Sequence, residues 1–178
     1  MTTATRGMGD VNSKRSQAKM IVSLSPGIHL RKLQKLLGAS FTTTRYHVDG
    51  LERDGEIIRS KVGGYDRLYP AGTPEGMKAV YAVLHSKTAR RILAALAKSG
   101  AHEITNGELS ERLGLPKSTL SECVAQLNEA HLIRRTLTAD SRILYEIQDG
   151  EEVSRLLALF EKNMLSIATE GFIDLWGL

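Results

Sequence analysis

The sequence is short of several things that chemistry would need. Cys123 is the only cysteine, so no intrachain disulfide can form and a cysteine-based zinc site would lack ligands. The five histidines are scattered without a metal-ligand spacing, and no metal or cofactor is expected. No run approaches the roughly eighteen apolar residues of a membrane span. The opening "MTTATRGMGDVNSKRSQAK" has no apolar core of a secretory leader, so the expectation is a soluble, cytoplasmic chain without a membrane partner. Catalytic signatures are missing too. "KVGGYDR" lacks the lysine-serine/threonine end of a phosphate loop, neither G-x-S-x-G nor H-E-x-x-H occurs, and the acidic residues are not paired, so no enzyme activity is expected.

What is present is globular: 178 residues, 42% hydrophobic and 25% charged, enough for one ordinary domain or two small ones. The formal charge of +4 is unevenly spread. Residues 1–73 carry 12 basic against 6 acidic side chains, residues 74–148 carry 10 against 8, and residues 149–178 carry 2 against 6. A basic front and an acidic back suggest that the front meets a polyanion.

The chain repeats itself without gaps at an offset of 76 residues. Leu33 falls on Leu109, Gly38 on Gly114, Thr43 on Thr119, Val48 on Val124, Leu51 on Leu127, Ile57 on Ile133 and Tyr69 on Tyr145. Matched positions are mostly apolar, which predicts two similar domains in tandem. In the first, Asn12 or Ser13 can cap a helix carrying Ala18, Ile21 and Val22. A second helix follows over 29–37, ended by Gly38, and a third over 41–53. "GEIIRSKV" and "DRLYPA" around Gly63-Gly64 then read as a β-hairpin. Copy two has the same order, from Ser86 through "TNGELSERLG" and "PKSTLSECVAQLNEA" to "LIRRTLTADSRILYEI".

The expected architecture is therefore mainly α with small β-hairpin wings: a disordered stretch at 1–11, a winged helix-turn-helix domain at 12–70, a linker and connecting helix at 71–85, a second such domain at 86–148 and a C-terminal dimerisation helix at 149–178. The plan has a geometric logic. A major groove about 12 Å wide admits one helix by its first turns, while the wing reaches neighbouring backbone.

The residues also carry a resemblance. "SPGIHLRKLQKLLGAS" followed by "TTTRYHVDGLERDGEIIRSKVGGYDRLYP" resembles the first domain of archaeal tandem winged-helix regulators related to the ArsR and MarR groups. The pattern R-Y-H-V/L-x-x-L-E-x-x-G stands here at 45–55, and the similarity runs over roughly 15–178, including the closing "FIDLW". It implies a DNA-binding transcriptional regulator, usually dimeric. Copy two departs from it, with Ala130-His131 in place of Asp54-Gly55 and Glu122 on the third helix.

"FTTTRYHVDGLERDGEII" crowds hydroxyls and an arginine at a helix start, where they compete with backbone hydrogen bonds unless the face meets something polar and anionic. With Thr44, Val48 and Leu51 inward, Thr42, Thr43, Arg45 and Tyr46 point outward. Hydroxyls and free N–H groups there can hold phosphate, and Arg45 can read guanine. The wing offers Arg59, Lys61 and Arg67 for phosphate; His29, Arg31, Lys32 and Lys35 are weaker candidates. Copy two offers Lys117, Ser118, Thr119, Ser121 and Gln126, with Arg134, Arg135 and Arg142 on its wing, and ranks second because Glu122 would face phosphates. His47 and Cys123 fall on equivalent positions and read as one partly buried site rather than as a sensor.

Val153, Leu156, Leu157, Phe160, Met164 and Ile167 recur at helical intervals, and Phe172 and Trp176 extend the stripe; this face is expected to bury itself against a second copy, with packing against "MKAVYAVLH" of its own chain as the alternative, and the two can coexist. The reading is thus a homodimeric, sequence-specific binder of double-stranded DNA, its third helix reading the major groove. The rival is a tandem winged-helix adaptor for proteins, which would need an apolar outer face on a third helix. An effector, if the protein takes one, has no signature in the sequence.

Overall fold

In the computed structural model of the chain, the backbone is described for residues 5–62, 64–99 and 104–176, and side chains for residues 13–62, 64–99 and 104–169. The chain divides into two compact units, one comprising Met1–Pro74 with Glu161–Leu178, the other Glu75–Phe160. Among the described residues, no helix is long and apolar enough to cross a membrane.

The first unit runs α1 (Thr5–Leu24), β1 (Ile28–His29), α2 (Leu30–Leu37), α3 (Phe41–Arg53), β2 (Ile57–Val62) and β3 (Tyr65–Pro70). Each boundary has a local cause. His29 Nδ1 accepts from Lys32 N to start α2, and Gly38 at φ 58 ends it in the left-handed region that glycine enters freely. Ser40 Oγ accepts from Thr43 N at 3.0 Å to start α3. The strands form an antiparallel sheet in the order β1-β3-β2. Its core joins Ala18, Ile21 and Val22 of α1 to Leu33, Leu37, Val48, Leu51, Ile57 and Leu68, with Ile167 added from the C-terminal helix.

The second unit runs α4 (Glu75–Leu84), α5 (Lys87–Lys98), β4 (Ile104–Thr105), α6 (Asn106–Leu113), α7 (Lys117–Glu129), β5 (Ile133–Leu137) and β6 (Ile143–Ile147), then enters α8 (Gly150–Trp176). Ser86 caps α5, and a reciprocal Thr105–Glu108 capping box starts α6. Its sheet has the order β4-β6-β5. Ile92, Leu93, Leu109, Leu120, Leu127, Ile133 and Tyr145 are fully or nearly fully buried. The fold is mainly helical with two small antiparallel wings, a winged-helix plan in each unit.

Four expectations need correction. The first helix starts at Thr5, not at the Asn12 or Ser13 cap, so the stretch expected to be disordered is helical from residue 5 on. The region read as linker and connecting helix does hold a helix, α4, but its Val80, Ala82, Val83 and Leu84 are buried and it belongs to the second unit rather than to a connection. Each sheet gains a two-residue strand, β1 or β4, too short to carry an alternation pattern.

The fourth concerns α8. Val153, Phe160 and Ile167, assigned to a dimer seam, are 2%, 8% and 4% exposed within their own chain. Phe160 packs edge-on to His85 under the Arg90 guanidinium, and Ile167 joins the first unit's core. Leu156, Leu157 and Met164 are half-buried, and Met164 Sδ accepts from Ser25 Oγ at 3.5 Å. The stripe is thus divided, with Val153 and Phe160 buried in the second unit and Ile167 in the first. Phe172 and Trp176 lie outside the residues whose side chains are described. Among the described large hydrophobic side chains of α8, Leu159 and Leu165 are exposed.

Candidate nucleic-acid interface

Helix α3 presents its outer face as its periodicity requires. Thr44, His47, Val48 and Leu51 are buried, which leaves Thr42, Thr43, Arg45 and Tyr46 exposed on the first turns. Thr43 also shares a 2.8 Å hydroxyl contact with Ser40, so part of its hydrogen-bonding capacity serves the cap. Thr44 Oγ1 donates to Ser40 O at 2.9 Å, which lets a hydroxyl sit in the core without a stranded proton. Arg45 lies mostly in solvent, with Nε 3.6 Å from Asp49 Oδ2 one turn on.

The first wing differs from its expected layout. Arg59 donates to Asp49 Oδ1 at 2.8 Å and approaches Glu52 Oε2 at 3.2 Å, so its charge is spent on the outer edge of α3. Arg67 Nη1 donates to Gly27 O at 2.8 Å, and burial lowers the pKa of its guanidinium. Neither is free for phosphate as expected, because the hairpin folds these two stems back over the unit. Lys61 is exposed and has no ion-pair partner among the described residues.

The second unit repeats the layout with fewer restraints. Lys117, Ser118, Thr119, Ser121 and Gln126 are all exposed on α7, beside an exposed Glu122. Pro116 occupies the N-cap without a side-chain hydrogen bond. On the wing, Arg134 lies 3.6 Å from Glu146 and Arg142 lies 2.9 Å from Asp140, while Arg135 is exposed without an ion-pair partner among the described residues. Lys117 is likewise unpaired there.

His47 and Cys123 are both buried, as equivalent positions on the inner side of α3 and α7. Burial, and secondarily Arg15, lowers the His47 pKa, and its Nε2 has no hydrogen-bond partner. Burial likewise raises the Cys123 thiol. Arg15 itself bonds Asp54 and also reaches Glu56, holding the Asp54 carboxyl below its usual range. Among the described residues no three His, Cys, Asp or Glu side chains cluster to hold a metal ion.

Sequence reasoning passed over Asp49 as the residue that ties α3 to the wing, and over Phe41 and Tyr65, large side chains exposed beside the basic face. An aromatic ring at the first position of a polar helix, and another straight after the wing glycines, were signals for the latter pair.

Comparison with known proteins matches residues 85–134 to a family model described as winged helix-turn-helix DNA-binding. The match falls on the second unit, the one ranked behind the first from sequence. No curated protein matches the chain. Among solved structures, reduced HlyU from Vibrio cholerae is similar at 25% identity over 49% of this chain and 86% of that one, with a TM-score of 0.41. A protein described as a possible transcriptional regulator from Methanosarcina mazei is similar at 15% identity over 67% of this chain and 96% of that one, TM-score 0.37. ScpB from Mycobacterium tuberculosis is similar at 14% identity over 82% and 96%, TM-score 0.32.

Proposed function

We propose that the chain is a transcriptional regulator that binds specific double-stranded DNA sequences as a homodimer. The observation that carries this reading is the pair of exposed helix starts: Thr42, Thr43, Arg45 and Tyr46 on α3, and Lys117, Ser118, Thr119 and Ser121 on α7, each followed by a wing. Hydroxyls and first-turn N–H groups take phosphate there, and the long cations reach base edges. Lys61 and Arg135 supply the wing contacts, since Arg59 and Arg67 are engaged within the protein. The family match over 85–134 supports giving the second unit an equal share of the contact.

The homodimer would bury apolar side chains that α8 leaves open, Leu159 and Leu165, and would present related half-sites. A protein adaptor would need an apolar third-helix face; on α7 only Ala125 interrupts the exposed polar and charged side chains, and on α3 the exposed rings Phe41 and Tyr46 stand among Thr42, Thr43 and Arg45. The test is selection of bound duplexes from a random pool, followed by binding at several salt concentrations. Enrichment of a sequence, with affinity falling as salt rises, is expected. Absence of saturable, salt-sensitive binding would overturn the DNA reading. A sedimentation mass equal to the 19.6 kDa chain at working concentrations would overturn the dimer.

A further inference from the structure

On each third helix one line of side chains stands farthest from the core. At about 3.6 residues per turn, burial of Thr44, Val48 and Leu51 turns Thr42, Tyr46, Asp49 and Arg53 outward on α3. Burial of Leu120, Val124 and Leu127 does the same for Ser118, Glu122, Ala125 and Glu129 on α7. The repeat aligns the two lines residue for residue. A helix that enters the major groove by its first turns brings the second member of such a line to the base edges. That member is Tyr46 in one copy and Glu122 in the other.

Tyr46 is 68% exposed, and its ring meets His47 edge-on with centroids 5.4 Å apart. Thr42 and Arg45 beside it suit phosphate and guanine, whereas a ring in this place needs an apolar surface to cover it. The base pairs offer one such group in the major groove, the C5 methyl of thymine.

Glu122 is exposed and has no ion-pair partner among the described residues, whereas Asp49 on α3 is held by Arg59. Phosphates repel an unpaired carboxylate, so it fits in the groove only where a base donates to it. Adenine N6 and cytosine N4 are the donors there. The adenine donor sits beside the N7 acceptor, which repels a second carboxylate oxygen. Cytosine has no acceptor next to its amino group in the groove, so it is the better match.

We infer that the two third helices read different pyrimidines from one position of the repeat: Tyr46 covers the C5 methyl of a thymine, and Glu122 accepts from N4 of a cytosine. The inference rests on the proposed DNA binding and names what each unit recognises.

Duplexes are selected with the full chain, and each thymine of the selected site is then replaced singly by deoxyuridine. Uracil keeps the hydrogen-bonding groups of thymine and lacks only the methyl. Affinity, read by fluorescence anisotropy, should fall about fourfold at one thymine per half-site. Tyr46→Ala should bind the two duplexes equally. Tyr46→Phe, and Phe41→Ala at the edge of the face, should keep the difference. Each cytosine is replaced likewise by N4-methylcytosine, which still pairs with guanine but turns its methyl into the groove. A loss of about tenfold at one cytosine per half-site is expected for the wild type and for Tyr46→Ala, and none for Glu122→Ala. Both positions are exposed, so neither alanine variant opens the core. Tolerance of uracil at every thymine, or a difference that persists in Tyr46→Ala, would overturn the thymine contact. A cytosine response absent from the wild type, or unchanged in Glu122→Ala, would overturn the cytosine contact. Absence of saturable binding to any duplex would sink the DNA reading itself, whereas saturable binding without either response sinks this inference alone.

Discussion

The Asp49 carboxylate of α3 accepts from the Arg59 guanidinium of the wing at 2.8 Å, and its other oxygen lies 3.6 Å from Arg45 Nε. One acidic side chain therefore holds the wing to the helix and restrains the arginine best placed to read bases. Exposed pairs of this kind stabilise a fold by only about 0.2–1 kcal/mol each, so the consequence to look for lies in binding.

Asp49→Asn should leave the fold intact and release positive charge toward DNA. The expected result is tighter binding to random duplex and a log–log salt slope steeper by about 0.9 for each phosphate newly neutralised. Fluorescence anisotropy against a random duplex across a salt series reads both. An unchanged slope would mean that Arg59, still beside Glu52, does not reach the backbone.

Arg45→Ala should flatten preference at one position of the selected sequence, a loss of about 1–3 kcal/mol of discrimination. Lys61→Ala should weaken all sequences alike. Lys117→Ala decides whether the second unit takes part. Selected-sequence libraries compared across the three variants separate these effects, and an unaltered preference profile for Arg45→Ala removes that residue from base reading.

Much of this fold was legible because its signals are local. The bounds of α3 agree with the expected 41–53, since Ser40 caps one end and the apolar positions keep a helical period throughout. Burial of Thr44, Val48 and Leu51, with Thr42, Thr43, Arg45 and Tyr46 left outside, follows from the same period. What was not legible depends on partners distant in sequence. Arg59 and Arg67 look alike as wing cations until the fold places Asp49 beside one and Gly27 O beside the other. The stripe on α8 is apolar whether it meets a second copy or its own chain, and periodicity cannot tell which. The repeat also hides a shift: Ile28 pairs with Leu68, but Ile104 pairs with Tyr145 rather than with Leu144, the repeat equivalent of Leu68.

His131 adopts φ 55 at the turn after α7, the position where the first unit has Gly55 at φ 69. A β-carbon in the left-handed region costs about 1–2 kcal/mol, part of which glycine returns as chain entropy. His131→Gly should therefore stabilise by up to about 1 kcal/mol, and Gly55→His should destabilise by a similar amount. Urea midpoints of the two variants test the pair. A stability loss in His131→Gly would mean that its imidazole, which lines a cavity of about 250 Å³, contributes packing worth more than the strain.

Acid should weaken the protein in two separate windows. His47 is buried, and burial with the nearby Arg15 lowers its pKa in the folded chain below the ordinary 6.5. Above 6.5 the imidazole is neutral in both states and contributes no pH dependence. Below it the unfolded chain takes up a proton that the folded chain refuses, so stability falls until pH has passed the folded value. His29, lowered by burial and then by neighbouring cations, adds a contribution of the same sign. Asp54 and Glu56 have lowered pKa values through Arg15 and Lys19 respectively, so their contributions are complete above the ordinary carboxylate range and vanish only as pH falls through the folded values. The internal repeat supplies the test, because His47→Cys installs the side chain that the equivalent position already carries in Cys123. A thiol is neutral throughout this range, so the variant should lose part of the decline just below 6.5, keep the share due to His29, and leave the carboxylate window in place. Urea unfolding at a series of pH values reads each limb, and a variant whose upper limb matches the wild type would show that His47 does not carry it.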